Sequence, residues 1–161
     1  MFAFLGLGSN LGDRESYLVT AVAGLRGLDP ELQVSPVYET APVGGPQGQG
    51  AYLNCVVKLE TDLYPRELLA VAQGLERDAQ RVRTAVNGPR TLDVDLLLLD
   101  DLVLDDADFV VPHPRMFERA FVLAPLEDLD ASRVPADWRS KVPRAEMLGE
   151  DLRKVGTLPG S

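Results

Sequence analysis

The chain has one cysteine, Cys55, and one histidine, His113, in 161 residues. A lone cysteine excludes an intramolecular disulfide and a cysteine-only zinc cluster. Within a run of strand character, Cys55 reads as a buried small hydrophobe. No apolar run reaches the ~18 residues of a membrane span, and the N-terminus has no basic segment followed by an apolar one. A cytoplasmic protein is the expectation. Cations are scarce as well: 16 Lys and Arg against 25 Asp and Glu leave a net charge of −9. That balance argues against a general nucleic-acid binder, which needs basic surface for phosphate contacts. The glycine-rich stretch Gly6 to Gly12 has neither G-x-G-x-x-G spacing nor a following Gly-Lys-Ser/Thr, so it encodes neither a dinucleotide fold nor a P-loop.

What is present is 45% apolar and 25% charged. That suits a single domain over 1–161, long enough to bury about 68–70% of its unfolded surface without staples. The most informative stretch runs from Arg81 to Asp95, with three arginines and two aspartates in fifteen residues, followed at once by Leu96 to Leu99. The leucine run reads as a buried strand. Side chains alternate along a strand, so Asp93 and Asp95 share one face while Leu92, Val94 and Leu96 share the other. Two carboxylates about 7 Å apart repel unless a cation sits between them. Their hard oxygens suit Mg²⁺, which takes one or two carboxylates and leaves its other positions to water and substrate phosphates. The guanidiniums upstream are planar forks matched to phosphate. The pattern therefore points to chemistry on a nucleoside triphosphate. The alternative is an Arg-Asp cluster that only neutralises itself on the surface.

The rest of the chain supplies the frame. Phe2 to Leu7 is apolar throughout, as in a central strand, and runs into a glycine-rich turn in which Asp13 reads as a helix N-cap. Leu18, Ala21, Val22, Leu25 and Leu28 repeat at helical spacing. Leu32 to Glu39 is a second strand, and the glycine-rich 40–50 reads as a lid or a plain linker. Tyr52 to Glu60 alternates, with Cys55, Val57 and Leu59 on one side and Tyr52, Asn54, Val56 and Lys58 on the other. Asn offers a donor and an acceptor side by side, and Tyr a ring face, which suits a flat heterocycle; any half-exposed strand has the same look. Pro65 opens a second helix through Leu68, Leu69, Ala72, Leu75 and Ala79, with Glu76 off that stripe. Strand, helix, strand, strand, helix, strand is the split βαβ pattern of a ferredoxin-like α+β sandwich, an antiparallel sheet with two helices on one face. Leu102 to Leu104 reads as a short added strand. His113, between prolines, reads as incidental; Phe117 to Leu129 is helical in parts. Beyond Asp130 the chain is polar and proline-punctuated, an extension of undetermined role.

Several segments, in order, resemble 6-hydroxymethyl-7,8-dihydropterin pyrophosphokinase of the folate pathway. They are Gly8-Ser9-Asn10-Leu11-Gly12, Tyr38-Glu39-Thr40-Ala41-Pro42, Tyr52-Leu53-Asn54, Arg81-Val82-Arg83, Gly88-Pro89-Arg90-Thr91-Leu92-Asp93-Val94-Asp95, Val111 to Met116, and Arg119 to Leu123. The resemblance spans about residues 2 to 130 and implies a ferredoxin-like fold. It implies transfer of pyrophosphate from ATP to the pterin hydroxymethyl oxygen, releasing AMP. It implies two Mg²⁺ ions on Asp93 and Asp95, and Arg81, Arg83, Arg90, His113 and Arg119 around the triphosphate, with Glu76 near the nucleotide. Arg81 and Arg90 are the catalytic candidates, on a loop that closes over ATP. Thr40, Pro42, Val43, Tyr52, Asn54 and Phe121 match positions lining the pterin pocket. The implied partners are these small molecules alone, with no membrane or nucleic acid, on a monomer. Two departures stand out: Val86-Asn87 replace a further Arg and Trp common in the family, and Phe117 stands where a His is frequent. A Mg²⁺-dependent phosphohydrolase and a non-catalytic binding module are the rival readings; neither needs a heterocycle pocket.

Overall fold

The computed structural model describes residues 1–40, 50–79, 91–142 and 152–160. In chain order the elements are β1 (Phe2–Ser9), α1 (Arg14–Leu25), β2 (Gln33–Val34), β3 (Val37–Thr40), β4 (Tyr52–Glu60), α2 (Pro65–Asp78), β5 (Asp93–Leu99), β6 (Leu104–Asp105), β7 (Val110–Val111), α3 (Ala120–Leu129), α4 (Trp138–Lys141) and β8 (Arg153–Gly156). The main sheet runs β5-β1-β4-β3-β8, with β2 also on β4, and its recorded pairings are antiparallel. Both crossovers, β1-α1-β3 and β4-α2-β5, skip one strand, so the central positions go to β1 and β4. Both strands are buried over most of their length, as a place inside a sheet covered on two faces requires. β6 and β7 form a small separate hairpin. The architecture is α+β.

The alternation of β4 divides the core. Ala3, Leu5, Leu7, Cys55, Val57, Leu59, Val94 and Leu96 pack against Leu18, Val22 and Leu25 of α1 and Leu68 and Ala72 of α2. On the opposite face Phe4, Val56, Tyr38, Leu97 and Leu98 pack against Leu123 and Leu126 of α3 and against Trp138. Helices therefore cover both faces of the sheet: two on one side, as the split βαβ order requires, and α3 with α4 on the other. Among the described residues no helix is long and apolar enough to cross a membrane.

Local chemistry sets the boundaries. The Asp13 carboxylate accepts the Ser16 amide at 3.2 Å and starts α1, satisfying one of the amides every helix N-terminus leaves over. Glu67 reaches back to the Tyr64 amide at 2.9 Å, with Pro65 at the first turn of α2. The second strand, expected to run unbroken from Leu32 to Glu39, is instead split into β2 and β3 at Ser35-Pro36. Pro36 has no N–H to give a ladder, and the Ser35 hydroxyl accepts the Val56 amide at 2.8 Å across the break. Two further expectations need correction. The strand expected to end at Leu7 continues through Gly8 to Ser9, and the turn begins only after it. The short strand expected at Leu102 to Leu104 begins at Leu104, and it pairs with β7, not with the main sheet.

Candidate active site

The site face is the α3 side of the sheet. Asp93 and Asp95 stand on it half-buried, while Val94 and Leu96 point to the α1–α2 core. Their neighbours across the ladder are glycines: Asp93 lies opposite Gly8 and Asp95 opposite Gly6. One strand further, Gly8 faces Asn54 and Gly6 faces Val56. Gly8 thus puts no side chain of its own between Asp93 and Asn54, while the Leu97 side chain packs over Gly6. With neighbouring strands ~4.8 Å apart, the acid and amide backbones lie about 10 Å from each other across β1. A Cβ added to Gly8 would meet Asn54 Oδ1 at 2.8 Å, so glycine here is a condition of close approach.

The outer side of β5 is an edge of the sheet, and two long-range contacts satisfy it. Glu76 Oε2, from α2, accepts the Val94 amide at 3.0 Å, between the two aspartates. The His113 amide donates to the Leu97 carbonyl at 2.9 Å. This second contact carries the His113 imidazole to the aspartates. Burial pushes its pKa down, the negative charge of Asp95 opposes that, and Arg119 and Arg115 reinforce it. Its Nδ1 accepts the Arg115 amide at 3.2 Å, which places the proton of the neutral ring on Nε2. A neutral imidazole beside two arginines is a hydrogen-bond donor for anionic oxygen. Arg119 leads into α3 with its guanidinium 5.6 Å from the centre of the Phe121 ring, within cation–π range.

At the other end of the floor, Asn54 and Thr40 are buried, and Asn54 Nδ2 donates to Thr40 Oγ1 at 3.3 Å. Tyr52 pairs with Thr40 in the β3–β4 register and is half-buried. One face therefore unites Asp93, Asp95, Asn54, Tyr52 and Thr40, and His113 reaches it along the edge of β5. The residues around His113 leave it incidental and only the resemblance places it at the triphosphate; its pairing with Leu97 and its field from Asp95 come from the fold and have no local signal. Pro42, Val43, Arg81, Arg83 and Arg90 lie outside the described residues. The sequence pattern did not disclose that Glu76 holds the main chain of the aspartate strand, nor that Gly8 and Asn54 are in contact. The G-x-G alternation within an apolar strand was the available signal for the latter. A cleft of about 510 Å³ lined by Phe2, Asp29, Lys58 and Glu60 lies at the far end of β4 and contains none of these residues.

The chain is similar to known proteins over most of its length. The family described as 7,8-dihydro-6-hydroxymethylpterin-pyrophosphokinase (HPPK) matches residues 4–131. The 2-amino-4-hydroxy-6-hydroxymethyldihydropteridine pyrophosphokinase of Bacillus subtilis is 46% identical over 129 residues, covering 79% of this chain and 77% of that protein. The protein of the same name from Aquifex aeolicus is 37% identical over 151 residues, covering 94% and 92%. Other relatives are much longer: the chain spans 17% of the folic acid synthesis protein fol1 of Schizosaccharomyces pombe, at 39% identity. Among solved structures, a Plasmodium falciparum HPPK-DHPS variant with pterin and p-hydrobenzoate superimposes with a TM-score of 0.61, covering 95% of this chain and 47% of that one. At 13% identity that likeness concerns the fold.

Proposed function

The chain belongs to the 7,8-dihydro-6-hydroxymethylpterin-pyrophosphokinase family, and on that premise we propose that it moves the terminal pyrophosphoryl group of ATP onto the hydroxymethyl oxygen of 6-hydroxymethyl-7,8-dihydropterin. It is a pyrophosphokinase of folate synthesis with ATP as co-substrate. The observation that carries the detailed reading is the division of one sheet face. Carboxylates and His113 stand at one end and the Asn54–Thr40 pair at the other, with the glycine-bearing strand β1 between. That arrangement suits a ligand anionic at one end and heterocyclic at the other.

The donor set fits Mg²⁺. Among the described residues no group of three or more His, Cys, Asp or Glu is arranged to hold a metal. A caged structural ion would need such a group, whereas Mg²⁺ is satisfied by one or two carboxylates plus phosphate and water. Asp93 and Asp95 would hold two such ions. Bound with the nucleotide, Mg²⁺ supplies neutralising charge to the phosphoryl oxygens around the β-phosphorus. Glu76 holds β5 through the Val94 amide and so sets the height of both carboxylates beside the nucleotide. His113 donates from Nε2 to a phosphate oxygen, and Arg119 adds charge from α3.

Arg81, Arg83 and Arg90 enter on the sequence pattern. Arg83 grips the triphosphate. Arg81 and Arg90 meet the charge that develops as the pterin oxygen bonds to the β-phosphorus and the α–β bridge breaks. By analogy with arginine fingers such contacts are worth roughly 10³–10⁵ in rate. Closure of this stretch over ATP excludes water as the competing nucleophile. The hydroxymethyl proton leaves late, with no fixed general base. On the pterin side Asn54 presents an amide to the ring edge, Thr40 orients that amide, and Tyr52 and Phe121 offer ring faces; Pro42 and Val43 complete the wall. The test is direct: purified protein with Mg²⁺, ATP and the hydroxymethyl pterin should yield AMP and the pterin diphosphate. ADP, or free phosphate without pterin, would reject the reading.

A further inference from the structure

Among the described residues, a set of ion pairs gathers where β8 meets β3, the strand that carries Thr40. β8 pairs with β3, placing Arg153 opposite Glu39 and Lys154 opposite Tyr38. Glu39 is held from two sides. Arg153 binds Oε1, and Arg14 Nη1 binds Oε2 at 3.0 Å. The same Arg14 nitrogen donates to the Ala51 carbonyl at 2.8 Å, so one guanidinium ties the end of β3 to the start of β4. Asn10 Nδ2 adds a bond to the Gly50 carbonyl at 3.2 Å. On the other face of β3, Lys154 binds Asp128 at 3.3 Å, and Asp128 accepts the Tyr38 hydroxyl at 2.6 Å. The tail beyond β8 is fastened too: Leu158 is buried in the α1–α2 core, and Arg26 donates to the Gly160 carbonyl at 2.9 Å.

We propose that Arg14, Glu39 and Arg153 form a clamp that positions Thr40, Tyr52 and Asn54, making the C-terminal strand a working part of the pterin side of the site. The inference rests on the pyrophosphokinase reading for its substrate, and β8 lies beyond the residues 4–131 that match the family. Its physical basis is where the clamp sits. Glu39 and Ala51 immediately precede Thr40 and Tyr52, which face each other across the ladder. β3 is only four residues long and, as the sheet edge it would become without β8, would fray at this end for want of lateral restraint. β8 and Arg14 provide that restraint from opposite sides. Without it, Thr40 would hold the Asn54 amide less firmly, and the ring edge would be met by a wandering donor.

The full chain is compared as wild type, Arg153→Ala, Glu39→Gln and Arg153→Lys. Arg153 is 65% exposed, so its truncation leaves the core intact. Arg153→Ala and Glu39→Gln should raise KM for the pterin roughly threefold to tenfold, with KM for ATP within twofold and Arg153→Lys restoring most of the loss. Amide hydrogen exchange at Thr40, Tyr52 and Asn54 should quicken in Arg153→Ala while the α2 amides stay unchanged. A purely structural role would lower the yield of active enzyme and kcat without splitting the two KM values. Equal pterin KM in wild type and Arg153→Ala overturns the clamp. So does unchanged exchange at Thr40 and Tyr52, a readout that holds whatever substrate the enzyme takes. An inactive wild type would instead count against the pyrophosphokinase reading and leave the exchange result to decide the clamp.

Discussion

Gly8 and Asn54 sit face to face across β1 and β4, so close that a methyl group on Gly8 would lie 2.8 Å from Asn54 Oδ1. That gap is below any normal carbon–oxygen contact, and the only movable partner is the Asn54 amide, already bonded to Thr40. In Gly8→Ala the sheet survives and the amide is displaced. The cost of a misplaced buried hydrogen-bonding group is about 1–3 kcal/mol, so pterin affinity should fall roughly tenfold to hundredfold with nucleotide affinity little changed. Calorimetric titration of each ligand measures the split.

Asp95 lies opposite Gly6 on the same floor and exerts its field on His113. Removing it in Asp95→Ala takes away a proposed metal ligand and the charge that orients phosphate. Several kcal/mol of transition-state stabilisation at 1.36 kcal/mol per tenfold gives a loss of about 10²–10³ or more in kcat. The fold should remain, because the half-buried Asp95 faces the site while its neighbours Val94 and Leu96 hold the core. Steady-state kinetics beside a circular-dichroism melt separate the two effects; retained turnover removes Asp95 from the metal assignment.

Trp138 is the single tryptophan, 1% exposed. It packs on the face of the sheet that carries the aspartates, and its indole N–H is bound to Glu127 at 3.0 Å. Trp138→Ala should cost about 3–5 kcal/mol, seen as a fall in the urea midpoint with little change in slope. A loss under about 1 kcal/mol would mean that the C-terminal segment is not part of the cooperative core.

Glu39 provides a pH signature. Burial pushes its pKa up, but the hydrogen bonds and charges of Arg153 and Arg14 outweigh burial and hold it below its ordinary value of 4.5. Folding therefore favours the ionised carboxylate. The stabilisation is fully present above the unfolded value and is lost as pH falls through the lower folded value. Denaturation of wild type and Glu39→Gln should differ at pH 7, with the gap closing on acidification below about pH 4. Salt should narrow the gap as well. A difference that is constant from pH 7 to pH 3 would exclude the charge as its origin.

Much of this molecule was legible as periodicity. The sides of β4, the shared face of Asp93 and Asp95, the Asp13 cap and the apolar stripes of α1 and α2 follow from spacings of two and of three to four residues, which any chain must honour locally. The G-P-R-T-L-D-V-D string pointed to the chemistry through its resemblance to the pyrophosphokinases, since carboxylates beside guanidiniums also occur as clusters that only neutralise each other. Three features escaped. Glu76 binds Val94 eighteen positions on, His113 meets Leu97 through its main chain, and Arg153 reaches Glu39 from 114 positions away. Backbone amides on a strand edge and acids at a strand end accept whichever partner the folded chain delivers, and no local pattern names that partner. Composition and periodicity thus specified the elements and the acidic face. Only the packed chain decided what braces them, because those contacts join residues that neither helical nor strand periodicity relates.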